Sequence, residues 1–430
     1  MTEERYEFTS AAKKRLIITL VVGLAVLALG IVMMSSGGGH DAHGAETAEA
    51  AEGGHHAFNW MQRIWANLWI NNVFFGGLAL IGVFFVAIQY AAQAGWSAGI
   101  VRVPLAFGGW LPIAFVLMLV TYLLGGHDIF HWAHHDLYDP ASPDFDPILD
   151  GKKGFFYWPM SEHPSVPVFW LFRLVFFFGV WYFIFTKIRS LMFEEDTVGD
   201  DSYWFRLRKL SAIFLVFFAF SSSIAAWDWI MSIDPHWFST MMGWYAFASW
   251  WVSGLALITF VVVLLKDRGY LKVVDANHLH DLGKFVFAFS VFWTYIWFSQ
   301  FFLIYYSNIP EETIYFVERW KSGHYAPFFY FNLAINFFFP FLVLMTRDSK
   351  RHSRILKIVC PAVIFGHWMD FYLMVTPGTL KDNGGFGLVE VGMLTVFVAA
   401  FLYVVLLNLS KAPLVGKNHP MLQESLHHHI

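Results

Sequence analysis

The sequence predicts an all-α integral membrane protein with about ten transmembrane helices. Of its 430 residues, 57% are hydrophobic and only 14% are charged, whereas a soluble domain carries about 25% charged residues. Ten apolar stretches are long enough to cross a bilayer. In lipid, backbone groups must bond within their own segment, and these stretches exceed the roughly 9–11 residues of a barrel strand. Each stretch is therefore predicted to be a helix.

The predicted spans follow one another along almost the whole chain. In order, they are Leu16–Met34, Leu68–Tyr90, Leu105–Leu124, Val168–Phe185, Leu210–Ile230, Met241–Leu265, Phe285–Tyr306, Phe328–Met345, Ile358–Met374 and Leu388–Leu407. The first span follows a basic cluster, as in a signal peptide, but its 19 residues exceed the usual apolar region of about 7–15. We therefore interpret it as the first membrane helix.

The distribution of Lys and Arg predicts which side each connecting segment occupies. If the N-terminus is cytoplasmic, 21 of the 28 Lys and Arg residues fall in cytoplasmic segments and 6 in outer loops, while Arg173 lies within a helix. Cytoplasmic segments are normally enriched in these residues. Both termini are therefore predicted to be cytoplasmic. The outer segment 35–59, rich in Gly, Ala and His, is typical of a mobile linker rather than a metal site, and 125–165 of an ordered cap.

The chain offers few ligands for a redox cofactor. Its single cysteine, Cys360, excludes disulfides, a c-type haem attachment motif and a cysteine-ligated iron–sulfur cluster on this chain. Only His367 lies well inside a predicted helix, whereas a six-coordinate b-type haem needs two axial ligands. No phosphate loop, nucleophile elbow or HExxH motif is present. We therefore expect no metal or redox cofactor here, and any redox centres on other chains.

Ionisable side chains within the predicted spans are the main candidates for function, because each costs about 2.5–3.5 kcal/mol to insert. They are Arg173, Asp228, His367, Asp370 and Glu390. All fall in the outer half of their spans, which indicates a polar pocket or half-channel open to the outer side. Polar neighbours that extend the proposed proton path inward are Ser221, Gln300, Asn332 and Asn336.

Two of these candidates, His367 and Asp370, share one helix face because they are three residues apart. Together with Asp228 they are predicted to form a protonatable cluster. In the alternative interpretation, Arg173 pairs with Asp228 or Asp370 and holds two helices together.

Histidines gather where the third predicted span ends. If the helix resumes after Gly125 and Gly126, His127, His131 and His135 share a face at i, i+4 and i+8. With Asp128 they would form a metal site, a proton-collecting rim or simple interfacial anchoring, and the spacing does not separate these three interpretations.

Three aromatic-rich blocks give the chain a resemblance to a known family. They are Ser223–Thr240, running on to Gly254; Ala91–Ser97, leading to Arg102 and to Leu111 and Pro112; and Gly366–Phe371, with Thr376 and Pro377. Over residues 65 to 410 the chain resembles the NrfD/polysulfide-reductase type of membrane subunit. It is most similar to the second such membrane subunit of bacterial alternative complex III, a quinol:cytochrome c oxidoreductase.

The resemblance implies an arrangement and a set of partners. Residues 65–230 would form a first four-helix bundle with the periplasmic loop 125–165, and residues 231–375 a second one. Residues 1–64 would add a peripheral helix and the periplasmic linker, and 376–430 the other peripheral helix and a cytoplasmic tail. The implied location is the bacterial inner membrane. The implied partners are a multihaem cytochrome c, an iron–sulfur protein and a paralogous NrfD-like subunit, with quinol or menaquinol and lipids as small molecules.

Two functions from different classes follow. The first is a non-catalytic or quinol-interacting subunit of a respiratory quinol:cytochrome c oxidoreductase, which contributes a proton path or a quinol-binding surface. The second is a stand-alone proton-coupled secondary transporter. Transporters tend to carry paired broken helices at the midplane, and the sequence shows no such pair, since Pro340 lies near a predicted helix end. Neither hypothesis includes a nucleic-acid partner.

Overall fold

The computed structural model of the chain describes residues 4–37, 59–162 and 164–429. Within them, ten helices are long and apolar enough to cross a membrane, and no strand is present. We number these spans in chain order as Ser10–Gly37, Trp60–Ala92, Arg102–Ile129, Val168–Val198, Ser202–Trp229, Met241–Asp267, Ala276–Ser307, Ala326–Val343, Ser353–Leu380 and Leu388–Leu409. The predicted all-α class and the ten membrane-length helices of a multi-pass protein are confirmed. The linker predicted at 35–59 lies almost wholly outside the described residues.

Several helices extend beyond their apolar runs. Span 7 begins at Ala276, well before the predicted start at Phe285, because the carboxylate of Asp275 accepts hydrogen bonds from the backbone N–H of Asn277 (2.8 Å) and of His278 (3.1 Å). Hydropathy finds only the apolar part of a helix, whereas a cap marks its true beginning. Span 9 likewise continues past the predicted end at Met374 to Leu380.

The helices pack around spans 2 and 6, which are almost wholly buried. Span 2 contacts spans 3, 5, 6 and 9, and span 6 also contacts spans 5, 7 and 9. Span 4 lies against spans 3 and 5, and span 8 against spans 7 and 9. Span 1 packs chiefly along span 10. A Cβ at Gly392 would stand 2.5 Å from the backbone N of Leu27, so the missing side chain permits this close approach.

The connecting segments define two faces. The loop face consists of residues 130–162, 164–167, 230–240, 308–325 and 381–387. The terminus face consists of residues 4–9, 93–101, 199–201, 268–275, 344–352 and 410–429. On the terminus face Arg5 forms a β-bridge with Pro413. The hydroxyl of Ser425 donates to the carbonyl of Trp96 at 2.9 Å. The C-terminal segment therefore covers part of this face.

The helix predicted to carry three histidines on one face does not form. Span 3 runs through Gly125 and Gly126 but ends at Ile129, because Phe130 adopts an extended backbone conformation. Residues 131–133 and 135–138 are separate 3-10 turns. The expected i, i+4 and i+8 arrangement is therefore wrong.

Candidate functional site

Asp370 is fully buried in span 9, about three turns before its end at Leu380. Its Oδ1 accepts hydrogen bonds from the hydroxyl of Tyr245 and from Nδ2 of Asn332, the latter at 2.8 Å. Its Oδ2 accepts one from Nε1 of Trp293 at 2.9 Å. All three donors are neutral, and no hydrogen bond or ion pair joins Asp370 to Lys or Arg within the described part of the chain. Adding a proton to this carboxylate therefore breaks no ion pair.

His367 lies one helical turn before Asp370 and is also fully buried. Its Nδ1 is 3.0 Å from the hydroxyl oxygen of Ser249, and its Nε2 has no hydrogen-bond partner among the described residues. The edge of its ring meets Trp293, with ring centroids 5.3 Å apart. The two groups predicted to share a helix face thus contact the same tryptophan. A buried imidazole nitrogen without a partner is a position where a water molecule or a proton can bind.

Span 8 supplies the asparagines of the site through an irregular segment. Residues Ala334–Phe338 form a π-helical stretch, a local widening that often occurs at functional sites. Nδ2 of Asn336 donates to Oδ1 of Asn332 at 2.6 Å, which links it to Asp370. A Cβ at Gly366 would stand 2.1 Å from Oδ1 of Asn336. Only glycine at this position allows the asparagine to approach span 9.

A narrow pocket connects these donors to the loop-face helix Pro310–Trp320. Its lining includes Tyr245, Asn332 and Arg319, and it has room for about one water molecule. A quinone ring does not fit in this space without movement of the lining. Gln300 of span 7 is also buried, and no residue that the structure describes forms a hydrogen bond with its Nε2.

Arg319 lies at the end of this pocket, where it binds a backbone carbonyl that Pro377 leaves without a helical hydrogen bond. Proline has no N–H, so it leaves the carbonyl of Leu373 without its helical partner. Nε of Arg319 donates to that carbonyl at 2.8 Å, and its NH2 donates to Oδ2 of Asp234 at 3.1 Å. The guanidinium also lies 3.4 Å from the ring centroid of Tyr315.

The charge of Arg319 is well compensated. Burial opposes it, but Tyr315, Asp234 and Glu318 outweigh that effect and hold the pKa of the guanidinium above its usual value. Arg319 therefore remains a cation, although it is almost inaccessible to solvent. It places a fixed positive charge between the loop face and the neutral donors around Asp370.

Asp228 belongs to a different hydrogen-bonded group. Arg173 donates from Nε to one carboxylate oxygen at 2.6 Å and from NH2 to the other at 2.7 Å. Its NH1 donates to the carbonyl of Phe155 at 2.9 Å, and its guanidinium lies over the rings of Phe155 and Phe169. Ser221, on the same helix as Asp228, accepts a hydrogen bond from Nε1 of Trp181 at 3.0 Å.

The predicted cluster is thus divided in two. No described hydrogen bond connects Asp228 with Asp370 or His367. Of the two partners considered for Arg173, the structure selects Asp228. This pair fits the description of a buried packing device.

Glu390 forms a third group and is fully buried in the first turn of span 10. Arg63 donates to both of its oxygens, at 2.8 and 2.7 Å. Nδ2 of Asn67 and the backbone N–H of Gly387 complete its partners, at 2.8 and 2.7 Å. Such a saturated carboxylate ties span 2 to span 10, and it has no free acceptor position for a moving proton.

The histidine rim lies at the loop face. The ring centroid of His127 is 5.3 Å from that of His134 and 6.0 Å from that of His135. Burial, together with the imidazoles of His134 and His236, lowers the pKa of His131. The carbonyl of Asp128 accepts from Gln62 at 3.0 Å. Among the described residues, no group of three or more His, Cys, Asp and Glu is arranged to hold a metal ion.

Sequence reasoning missed the residues that complete these groups. They are Arg63, Asn67, Asp234, Tyr245, Ser249, Trp293 and Arg319. Two of them carried a signal: Arg63 and Arg319 are basic residues assigned to outer loops, where such residues are sparse. The hydroxyl and indole donors carried no such signal in the sequence, because Ser, Tyr and Trp are common in membrane helices. Comparison with protein-family models and with curated proteins gave no match.

Proposed function

We propose that the chain is a non-catalytic membrane subunit of a quinol:cytochrome c oxidoreductase in the bacterial inner membrane, and that Asp370 carries protons in it. The observation behind the proposal is the pair formed by Asp370 and His367, which is fully buried and whose hydrogen bonds are all to neutral partners. A guanidinium that pairs with a carboxylate strongly opposes its protonation, whereas neutral donors oppose it less. The resemblance in the aromatic-rich blocks supports the choice of complex.

The proposed path starts at the loop face. Asp234 is partly exposed there, and its partner Arg319 lines the water-sized pocket that reaches Tyr245 and Asn332. A proton that enters along this pocket meets the hydroxyl of Tyr245, which contacts Asp370 directly. Because Arg319 is a fixed cation, it favours a negative charge nearby over a second positive one. Arg319 therefore opposes the passage of other free cations through the pocket.

Quinol oxidation is proposed to take place outside this pocket, which is too small for a quinone ring. The paralogous NrfD-like subunit is the proposed quinol-binding partner, and the multihaem cytochrome c and the iron–sulfur protein are the proposed electron carriers. We also propose the two-bundle arrangement. It is supported by the packing of spans 2 to 5 with one another, and by that of spans 6 to 9. The charge distribution supports a cytoplasmic terminus face and a periplasmic loop face.

The subunit and the site can be tested in one preparation. An affinity-tagged chain is expected to purify with a multihaem cytochrome and an iron–sulfur protein. Asp370→Asn is expected to leave this assembly intact but to slow proton-coupled quinol oxidation by at least about tenfold, in the range of a lost proton-transfer group. The control is Asp267→Asn, which removes a carboxylate at the end of span 6, next to the terminus face, that pairs with Lys357.

Two outcomes would contradict the proposal. Purification of the chain alone from gently solubilised membranes, with proton-coupled solute uptake in vesicles, would favour the transporter. Normal turnover of Asp370→Asn and His367→Gln complexes at every pH would leave the buried site as a packing feature.

A further inference from the structure

A second pocket opens on the opposite side of the molecule, near the terminus face. It lies between the beginning of span 3, the half of span 4 nearer the terminus face and the end of span 10. Its apolar lining includes Leu105, Phe185 and Leu409, and its polar lining includes Arg102, Arg189 and Asn408. The pocket is therefore amphiphilic, and none of its residues belongs to the proton site.

Arg102 is the buried part of the polar lining and is only 5% exposed. Its NH1 donates to the carbonyl of Pro413 at 2.9 Å, and its NH2 donates to the carbonyl of Met192 at 3.1 Å and to Asp196 at 2.5 Å. Its Nε is buried and has no hydrogen-bond partner within residues 4–37, 59–162 and 164–429. An unsatisfied N–H of a guanidinium costs free energy, which an acceptor in the pocket would recover.

Arg189 provides a second cation at the same place. Within the described part of the chain it forms no ion pair or hydrogen bond, and its guanidinium lies 5.4 Å from the ring centroid of Phe193. The guanidinium of Arg102 is also 5.4 Å from that centroid. Two guanidinium groups thus lie near one ring, and both line the pocket.

The remaining charges nearby leave the pocket positive. Asp196 forms an ion pair with Arg102 and offsets its positive charge, and the buried Glu195 also lies close to the Arg102 guanidinium. Lys411 donates to Oδ1 of Asn408 at 3.1 Å and adds a third base at the rim. The three bases outnumber the two carboxylates.

We propose that an anionic phospholipid binds at the mouth of this pocket, which itself has room for about two water molecules, with its phosphate facing Arg189 and Arg102. Guanidinium groups suit phosphate because their donors match its oxygens. Arg102 opens span 3 and Asn408 nearly ends span 10, so the polar lining lies at the helix ends where head groups gather. Leu105, one turn deeper, and Phe185 form the apolar inner wall of the pocket, so the acyl chains stay in the surrounding bilayer. Basic pockets between membrane helices on one side are a known form of lipid recognition.

The test uses the purified protein in detergent, with phosphatidylglycerol and phosphatidylcholine as probes. Phosphatidylglycerol is expected to raise the thermal unfolding midpoint and to remain bound in native mass spectra, whereas phosphatidylcholine does neither. Arg189→Gln is expected to weaken phosphatidylglycerol binding about tenfold, the size of one lost charged hydrogen bond. Ala412→Phe keeps every charge but fills the pocket, so it should weaken binding as well.

The matched control is Arg206→Gln. Arg206 also lies over an aromatic ring, 5.5 Å from the centroid of Tyr203, but it is exposed and outside the pocket. This variant is expected to bind phosphatidylglycerol like the unaltered chain. Inorganic phosphate alone is expected to stabilise the protein far less than the lipid. The proposal is overturned if Arg189→Gln and Ala412→Phe both bind normally, or if phosphatidylcholine or inorganic phosphate stabilises the protein equally well.

Discussion

Asp228 and Asp370 are the same residue type with the same burial, 1% and 0% exposed, yet different groups compensate them. Asp228 accepts two hydrogen bonds from one guanidinium, at 2.6 and 2.7 Å. Asp370 accepts three from neutral side chains on three other spans. The first arrangement holds the carboxylate ionised beside a fixed countercharge, whereas the second has no countercharge and opposes protonation less. Burial of a carboxylate in a membrane helix is therefore not enough to identify a proton site.

The two carboxylates also differ in depth. Asp228 is the penultimate residue of span 5, beside the loop face, whereas Asp370 lies about three turns inside span 9. Arg173 of span 4 pairs with Asp228 near the helix end, and its guanidinium also donates to the carbonyl of Phe155 in the loop face. Deeper in the molecule, the described donors to Asp370 are an indole, a hydroxyl and an amide. The deeper carboxylate is the one without a fixed countercharge.

If Asp228 depends on its cation and Asp370 does not, the largest loss of stability is expected for Arg173→Gln. This change leaves Asp228 buried without its cation, which typically costs about 3–5 kcal/mol. The measurement is the unfolding midpoint of the purified protein in detergent, with Arg206→Gln as the exposed control. A second variant with both Arg173 and Asp228 replaced by apolar residues should recover much of the loss. Equal stability of Arg173→Gln and the unaltered protein would show that the pair is not a packing device.

At acidic pH, titration of a third group, His419, also changes the stability of the protein, so it must be removed before the two sites are compared. Burial and the nearby Arg102 lower the pKa of His419, on the terminus face, to about 4. An unfolded imidazole titrates near 6.5. Between these values the unfolded chain binds more protons, so stability falls as the pH falls from about 6.5 to 4. The expected loss at pH 4 is about 3 kcal/mol.

His419→Gln should remove this part of the acid sensitivity and leave stability at pH 8 nearly unchanged. Replacement of the exposed His427 by Gln is the control. Thermal midpoints measured from pH 8 to pH 4 provide the readout. If the two variants lose stability equally on acidification, the buried imidazole of His419 is not responsible.

The smallest expected effect on stability is that of Tyr245→Phe. It removes one donor to Asp370, but Trp293 and Asn332 still bond the carboxylate. The expected cost is about 1 kcal/mol, that of one ordinary hydrogen bond. The exposed Tyr295, changed to Phe, is the control. A loss as large as that of Arg173→Gln would mean that Asp370 is held as rigidly as Asp228, and the contrast between the two sites would fail.

The sequence alone determined the helices and their number. Helix formation in lipid is a local requirement, because each segment must satisfy its own backbone, so hydropathy and length suffice. The sequence also singled out His367, Asp370, Asn332 and Asn336, since polar residues within apolar runs are conspicuous. It placed helix ends less well, because caps such as Asp275 lie outside the apolar run.

Only the tertiary structure decided which groups compensate one another. Arg173 had two possible partners in the sequence, and packing of span 4 against span 5 selected Asp228. The partner of Glu390 is Arg63, 327 residues away along the chain. Such pairings depend on which helix faces meet, and helical periodicity within one segment carries no information about its neighbours. The neutral donors around Asp370, which distinguish it from the paired carboxylates, come together for the same reason.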